Sequence, residues 1–153
     1  MLKNRLIASI FTKNDLVVQS FGFNKYLPIG NIETAIEFFV NWDIDEIFLV
    51  DIDASLENRE PNFDLVKLAT TECFIPLTVG GGINSTKDID MLLKAGADKV
   101  SLNNATFLKP ELISSAAAIF GSQCITISID AKKIDNQYFV YDYLSKEIIH
   151  ETV

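Results

Sequence analysis

Thr78-Val79-Gly80-Gly81-Gly82-Ile83, then Ser85-Thr86-Lys87-Asp88, then Ala95-Gly96-Ala97-Asp98-Lys99-Val100-Ser101 is the stretch that decides the fold. An apolar strand over 74–79 runs into three glycines, a capping-box sequence opens a helix, Gly96 ends it, and a new apolar strand starts at Lys99. Strand, helix and strand in that order make a parallel pair with a helical crossover. The same alternation extends outward on both sides. Short apolar segments over 5–11, 46–51, 99–102 and 125–129, rich in β-branched and aromatic residues, read as buried strands. Helices are expected over 32–42 behind an Asn31 N-cap, over 63–71 with Phe63, Val66 and Leu68 at helical spacing, and from Pro110 to Phe120. The order βαβαβαβαβ places the chain in the α/β class. After Asp130 the pattern changes: 132–136 is polar, 137–143 alternates like an exposed strand, and Ser145-Lys146 turns it into 147–153, a hairpin on the loop after strand five.

No shift of composition divides the chain, so 1–153 reads as a single domain. Two architectures accommodate it. A five-stranded doubly wound sheet would be complete at this length, whereas a barrel of eight βα units needs about 250 residues and would make this chain its N-terminal part.

The 153 residues are 48% apolar and 22% charged, enough to bury a core and unlike a disordered chain or a disulfide scaffold. A net charge of -8 argues against a groove for nucleic acid or an anionic membrane, so any phosphate must be gripped locally. Cys73 and Cys124 lie in apolar runs far apart, with no short-spaced Cys or His beside them; buried reduced thiols are expected, and neither a metal nor a cofactor. The basic start is followed by too short an apolar run for a signal core, and no stretch approaches about 18 apolar residues, so the cytoplasm is the expected compartment.

Three constellations can carry chemistry. The first is the glycine loop with Gly81 and Gly82, joined by Asn103-Asn104 after the next strand: backbone N–H groups and amides able to hold one phosphate, against the alternative of tight turning and asparagine capping. The second is a pair of acids at strand ends, Asp51 and Asp130, placed to orient hydroxyls or move a proton, with helix capping as the rival. The third lies at the opposite strand ends: Arg5, Glu46 and Lys99 alternate with apolar residues and fall on one face at the strand base, where a structural salt-bridged plug is the plain reading.

Arg5-Leu6-Ile7-Ala8, Ile44-Asp45-Glu46, Leu49-Val50-Asp51-Ile52, the glycine and Ala-Gly-Ala-Asp-Lys-Val-Ser segments, Phe120-Gly121-Ser122-Gln123-Cys124 and Ile129-Asp130-Ala131-Lys132 together resemble HisF, the cyclase subunit of imidazole glycerol phosphate synthase and a TIM barrel. The resemblance runs over 1–143. It implies a partner HisH-like glutaminase docked on the barrel floor, with Asp98 at the docking face, and ammonia entering past a gate matched by Arg5, Glu46 and Lys99. It also implies a phosphorylated small-molecule substrate at the top, with Asp130 as a catalytic acid and Gly82, Asn103 and Asn104 at a phosphate site, Asn104 replacing the more usual Thr or Ser.

One departure stands out. Where HisF ends strand one in Leu-Asp-Val with a catalytic aspartate, this sequence has Ile10-Phe11-Thr12, and where Val-Val-Lys follows it has Val17-Val18-Gln19. Phenylalanine cannot move a proton. A branch of HisF-like proteins in surface-sugar gene clusters resembles this strand one, and also Arg59-Glu60-Pro61 and Asp51-Ile52-Asp53-Ala54-Ser55. It implies ammonia supply to an N-acetyl-sugar amidotransferase in lipopolysaccharide or surface polysaccharide biosynthesis. The competing expectations are authentic cyclase activity in histidine biosynthesis and a non-catalytic half-barrel.

Overall fold

The computed structural model describes residues 4–22 and 24–152. Five strands, β1 (Ile7–Lys13), β4 (Glu46–Asp51), β5 (Leu77–Gly80), β6 (Lys99–Leu102) and β7 (Ile125–Ile127), pair in parallel and in chain order, β1-β4-β5-β6-β7. Strictly sequential order distinguishes the two architectures, because a doubly wound sheet reverses direction at a switch point. With every crossover right-handed, sequential order puts all the helices on one face. Helices α1 (Ile32–Asn41), α3 (Phe63–Glu72), α4 (Thr86–Lys94) and α6 (Glu111–Phe120) accordingly line up as neighbours. This is a five-strand sector of a TIM barrel.

Alternation along the strands divides the residues between two faces. Ile10, Ile47, Leu49, Leu77, Val79, Val100 and Leu102 point to the helices and meet Ile36, Val66, Ala69, Ile89, Leu92 and Ala116 in a continuous core. The register gives the other, inner face to Ser9 and Phe11 of β1, Phe48 and Val50 of β4, Thr78 of β5 and Lys99 and Ser101 of β6. Capping follows the sequence closely. Asn31 Oδ1 accepts from Thr34 N–H at 2.9 Å, Asn62 Oδ1 from Leu65 at 3.0 Å and Ser85 Oγ from Asp88 at 3.2 Å, each relieving an orphan donor of its helix.

Strand three begins later than the apolar run suggests. Phe74 is 82% exposed and Pro76 has no N–H to give, so the ladder opens with the Pro76 carbonyl accepting from Ile47 at 2.9 Å. The cysteines are free but only half-buried rather than buried, with Cys73 Sγ donating to the Ile75 carbonyl at 3.2 Å.

Two antiparallel additions decorate the carboxyl ends of the strands. A hairpin of β2 (Leu16–Phe21) and β3 (Lys25–Gly30) extends β1, an element the sequence reading left out. The hairpin expected after strand five is a three-stranded sheet of β8 (Ala131–Ile134), β9 (Gln137–Asp142) and β10 (Glu147–Thr152). Both use the same two-residue turn chemistry: Asn14-Asp15 and Asp135-Asn136 all have φ between 45° and 68°. Positive φ at both central residues is the type I′ geometry that matches strand twist, and Asn and Asp tolerate it best after glycine. Among the described residues no helix is long and apolar enough to cross a membrane.

Candidate functional site

The three charges expected at the strand base come together. Glu46, only 5% exposed at the start of β4, receives Lys99 Nζ at 2.9 and 3.0 Å, Thr78 Oγ1 at 2.8 Å and an Arg5 guanidinium nitrogen at 3.5 Å. Burial works to raise the carboxyl's pKa. The hydrogen bonds from Lys99 and Thr78 and the charges of Lys99 and Arg5 outweigh it and leave Glu46 below its ordinary value. Glu46 is therefore an anion satisfied on both oxygens, and Thr78 is a fourth member that composition gave no reason to single out.

Two aspartates beside this cluster share one structural job. Asp98 is exposed; its Oδ2 accepts from Leu77 N–H at 2.8 Å while its own N–H returns to the Leu77 carbonyl at 2.9 Å. Asp45 makes the same two-way clasp on Leu6 at 2.8 and 3.1 Å. Each aspartate pins the base of the preceding strand, so Asp98 has a role in the fold whatever docks beside it.

At the carboxyl ends, Gly81 and Gly82 adopt φ of +110° and +72°. A Cβ on Gly81 would lie 2.3 Å from the Asp51 carbonyl oxygen, and one on Gly82 would lie 2.7 Å from that of Arg59. Tight packing against the end of β4 alone demands glycine here.

Asp51 ends β4 and caps the short helix α2 (Ile52–Leu56), its Oδ1 accepting from Asp53 and Ala54 at 3.1 and 3.3 Å. Arg59 clamps it, with Nη2 donating to Oδ1 at 3.0 Å and Nη1 2.8 Å from Oδ2. The hydrogen bond to Asp51 leads the causes that raise the Arg59 pKa. The capping chemistry weighed against a substrate-orienting role is thus present, with an ion pair added in which Oδ1 takes the hydrogen bond and the buried Oδ2 has none.

Asp130, just beyond β7, accepts from Asn103 Nδ2 at 3.0 Å, so the predicted acid and one predicted phosphate-site amide meet directly. Asn104 caps nothing with its side chain; its carbonyl accepts from Leu108 at 3.2 Å in the single turn of α5 (Ala105–Leu108). Phe11 is half-buried on the inner face, with Val18 as its antiparallel neighbour and Val50 as its parallel one. Near it a buried Asp53 binds Lys13 Nζ at 2.5 Å and the Asn14 N–H at 3.1 Å, and Lys13 stands 5.6 Å from the Tyr26 ring centre. The hydrogen bond to Asp53 leads the causes that raise the Lys13 pKa.

Comparison with known proteins bears on this arrangement directly. The family model described as histidine biosynthesis protein matches residues 5–150. The chain is 60% identical over 149 residues to a Vibrio vulnificus (strain YJ016) protein provisionally named imidazole glycerol phosphate synthase subunit hisF2, covering 97% of this chain and 55% of that one. It is 45% identical over 147 residues to the imidazole glycerol phosphate synthase subunit HisF of Exiguobacterium sp. (strain ATCC BAA-1283 / AT1b), covering 96% and 58%. The chain belongs to the HisF family.

It spans somewhat more than half the length of these HisF-family relatives. A Campylobacter jejuni protein provisionally named as a hisF2 subunit is 40% identical over 142 residues, 93% of this chain and 57% of its own. Family membership agrees with the sequential parallel sheet, since HisF proteins are TIM barrels. In such barrels chemistry belongs to the carboxyl ends of the strands, where the glycine loop, Asn103 and Asp130 lie, and the amino ends belong to the floor, where Glu46 and Lys99 lie. Sequence reasoning missed Ser55 of α2, which accepts the Gly82 N–H at 3.3 Å. Ser55 had a signal in its position four residues beyond the Asp51 strand end.

Proposed function

We propose that this chain is part of a HisF-like subunit that conducts ammonia from a HisH-like glutaminase and does not itself close the imidazole ring. The observation that carries the reading is the contrast between the two ends of the inner face. At the floor, Glu46 is bound by Lys99, Arg5 and Thr78. At the top of β1, where HisF proteins carry a catalytic aspartate, Phe11 lies between Val18 and Val50 and offers no proton. Arg5, Glu46 and Lys99 serve as the entrance, Asp98 belongs to the face the glutaminase covers, and a phosphorylated substrate is held by the glycine loop with Asn103 and Asn104. Asp130 remains as an acid held by Asn103, and Asp51 orients the site through its clamp with Arg59. The resemblance of strand one to surface-sugar HisF-like proteins supports the end use: amidation of an N-acetyl sugar by a partner amidotransferase.

The retained Asp130–Asn103 pair favours the second reading, a working cyclase of histidine biosynthesis in which another group replaces the missing acid. Phe11→Asp in the full-length protein separates the two. On the ammonia-delivery reading, the variant gains imidazole glycerol phosphate formation from the formimino ribonucleotide and ammonium by about 100-fold over its parent, the lower end of what a placed acid–base contributes. A parent already as active as the variant would overturn the reading.

A further inference from the structure

The turn that joins β1 to β2 is tied to two further elements. Asp53, in the first turn of α2 and only 3% exposed, takes one bond on each carboxylate oxygen: Oδ1 from Lys13 Nζ at 2.5 Å and Oδ2 from the Asn14 N–H at 3.1 Å. Asp15, the next residue of the turn, accepts on Oδ1 from Asn62 Nδ2 at 2.7 Å. Asn62 is also the N-cap of α3, its Oδ1 accepting from Leu65 N–H, so one amide serves the helix with its oxygen and the hairpin with its nitrogen. Lys13 reaches the hairpin a second time, 5.6 Å from the ring centre of Tyr26 on β3.

The hairpin has little else to hold it. A two-stranded ribbon is marginal by itself, β2 pairs with β1 only from Phe11↔Val18 to Lys13↔Leu16, and among the described residues β3 pairs with β2 alone. Val17 and Val18 are buried, but Phe21, Leu27 and Ile29 stand exposed. The anchor on the other side is firm: Asp51 accepts the Asp53 N–H at 3.1 Å, and the Arg59 guanidinium holds Asp51 in turn. The fastening therefore runs from the end of β4 through α2 to the root of the hairpin.

We propose that Asp53 is a latch that fixes the β2–β3 hairpin across the carboxyl end of β1 through Lys13 and Asn14, with Asn62 as a second fastening. The hairpin is then a permanent wall of the site, ordered by the chain's own side chains. It keeps Val18 against Phe11, the pairing that gives the top of β1 its apolar surroundings. A wall already in place costs an incoming molecule no loop-ordering entropy. The inference concerns the hairpin alone and holds whichever reaction the protein serves.

The test is amide hydrogen exchange of the full-length protein, read by mass spectrometry in peptides covering 16–21 and 25–30, with 46–51 as the core reference. In the parent the hairpin amides are protected. Asp53→Ala accelerates their exchange about tenfold, the scale of hydrogen bonds to a charged group, and leaves 46–51 within about twofold. Lys13→Ala strands a buried carboxylate without its cation and accelerates the hairpin at least as much. The Lys13→Ala/Asp53→Ala double variant is no faster than Lys13→Ala, because the two share one interaction. Asn62→Asp keeps the oxygen that caps α3 but turns an acceptor toward Asp15, and speeds the same peptides about fivefold. Hairpin peptides that exchange like an unstructured chain in the parent, parent-like exchange in Asp53→Ala, or equal acceleration of 46–51 would each overturn the latch. Should Asp53→Ala unfold as a whole, Asn62→Asp, which leaves α2 untouched, decides by the same criteria.

Discussion

Gly81→Ala is expected to destabilise the full-length protein by about 3–5 kcal/mol in urea unfolding, combining ~1–2 kcal/mol for an L side chain at positive φ with a further ~1–3 kcal/mol for overpacking. The clash decides the magnitude. At φ +110° the new Cβ would be 2.3 Å from the Asp51 carbonyl oxygen, and that oxygen belongs to backbone fixed by the cap on α2 and the Arg59 clamp. Gly30→Ala is the matched control: a Cβ there meets nothing within 4 Å, so its cost stays within about 0.5 kcal/mol. Equal effects at the two positions would mean that the β4 and β5 ends are not packed as described. Gly81→Ala therefore reports on packing, and anion binding at this loop has to be tested through the Gly82 amide instead.

Glu46→Ala has the second large effect, and its reading needs two substrates. With a HisH-like glutaminase as the ammonia source, glutamine-dependent turnover falls about tenfold, equivalent to ~1.4 kcal/mol, while turnover with saturating ammonium stays within about twofold. The physical reason is that Glu46 organises Lys99, Thr78 and Arg5 at the base of the strands, away from their carboxyl ends. Equal losses with both nitrogen sources would make the cluster a plug and no gate. Stability falls as well, by about 1–2 kcal/mol, since Lys99 loses its partner but remains 29% exposed to water. The pH dependence has a definite sign. The folded pKa of Glu46 lies below its ordinary value of 4.5, so its contribution is complete above about pH 4.5 and is lost as the pH falls further. Glu46→Ala should flatten that acid limb.

Much of the fold was legible because local signals agreed with the tertiary outcome. The strands over 46–51 and 99–102 match β4 and β6 residue for residue, and Asn31 and Ser85 cap the helices their sequences announce. The choice between a doubly wound sheet and a barrel was not legible in periodicity, since both need the same alternation; strand order, a long-range property, resolves it. The β2–β3 hairpin is absent from the sequence reading, which ends the first strand at Phe11, although Asn14-Asp15 is a good two-residue turn. At the site, period-two alternation correctly put Glu46 and Lys99 on one face. Their partner Thr78 and the Asn103–Asp130 contact depend on distances between elements that spacing along the chain does not contain. Asp51 shows the limit most plainly: a strand-end aspartate suits substrate orientation and helix capping alike, and only the contacts reveal the cap and the Arg59 clamp.

The central claim is that this HisF-family protein passes ammonia without performing the cyclisation. The most direct measurement supplies the full-length protein with the formimino ribonucleotide and saturating ammonium, follows imidazole glycerol phosphate, and runs an active HisF alongside. Ammonium makes the identity of the glutaminase irrelevant. With Phe11 toward the carboxyl end of β1, product formation should remain below about one hundredth of the HisF control, the minimum expected from loss of a general acid–base. Turnover of about 1 per second or more, in the range of ordinary enzymes, would contradict the claim and return the protein to histidine biosynthesis.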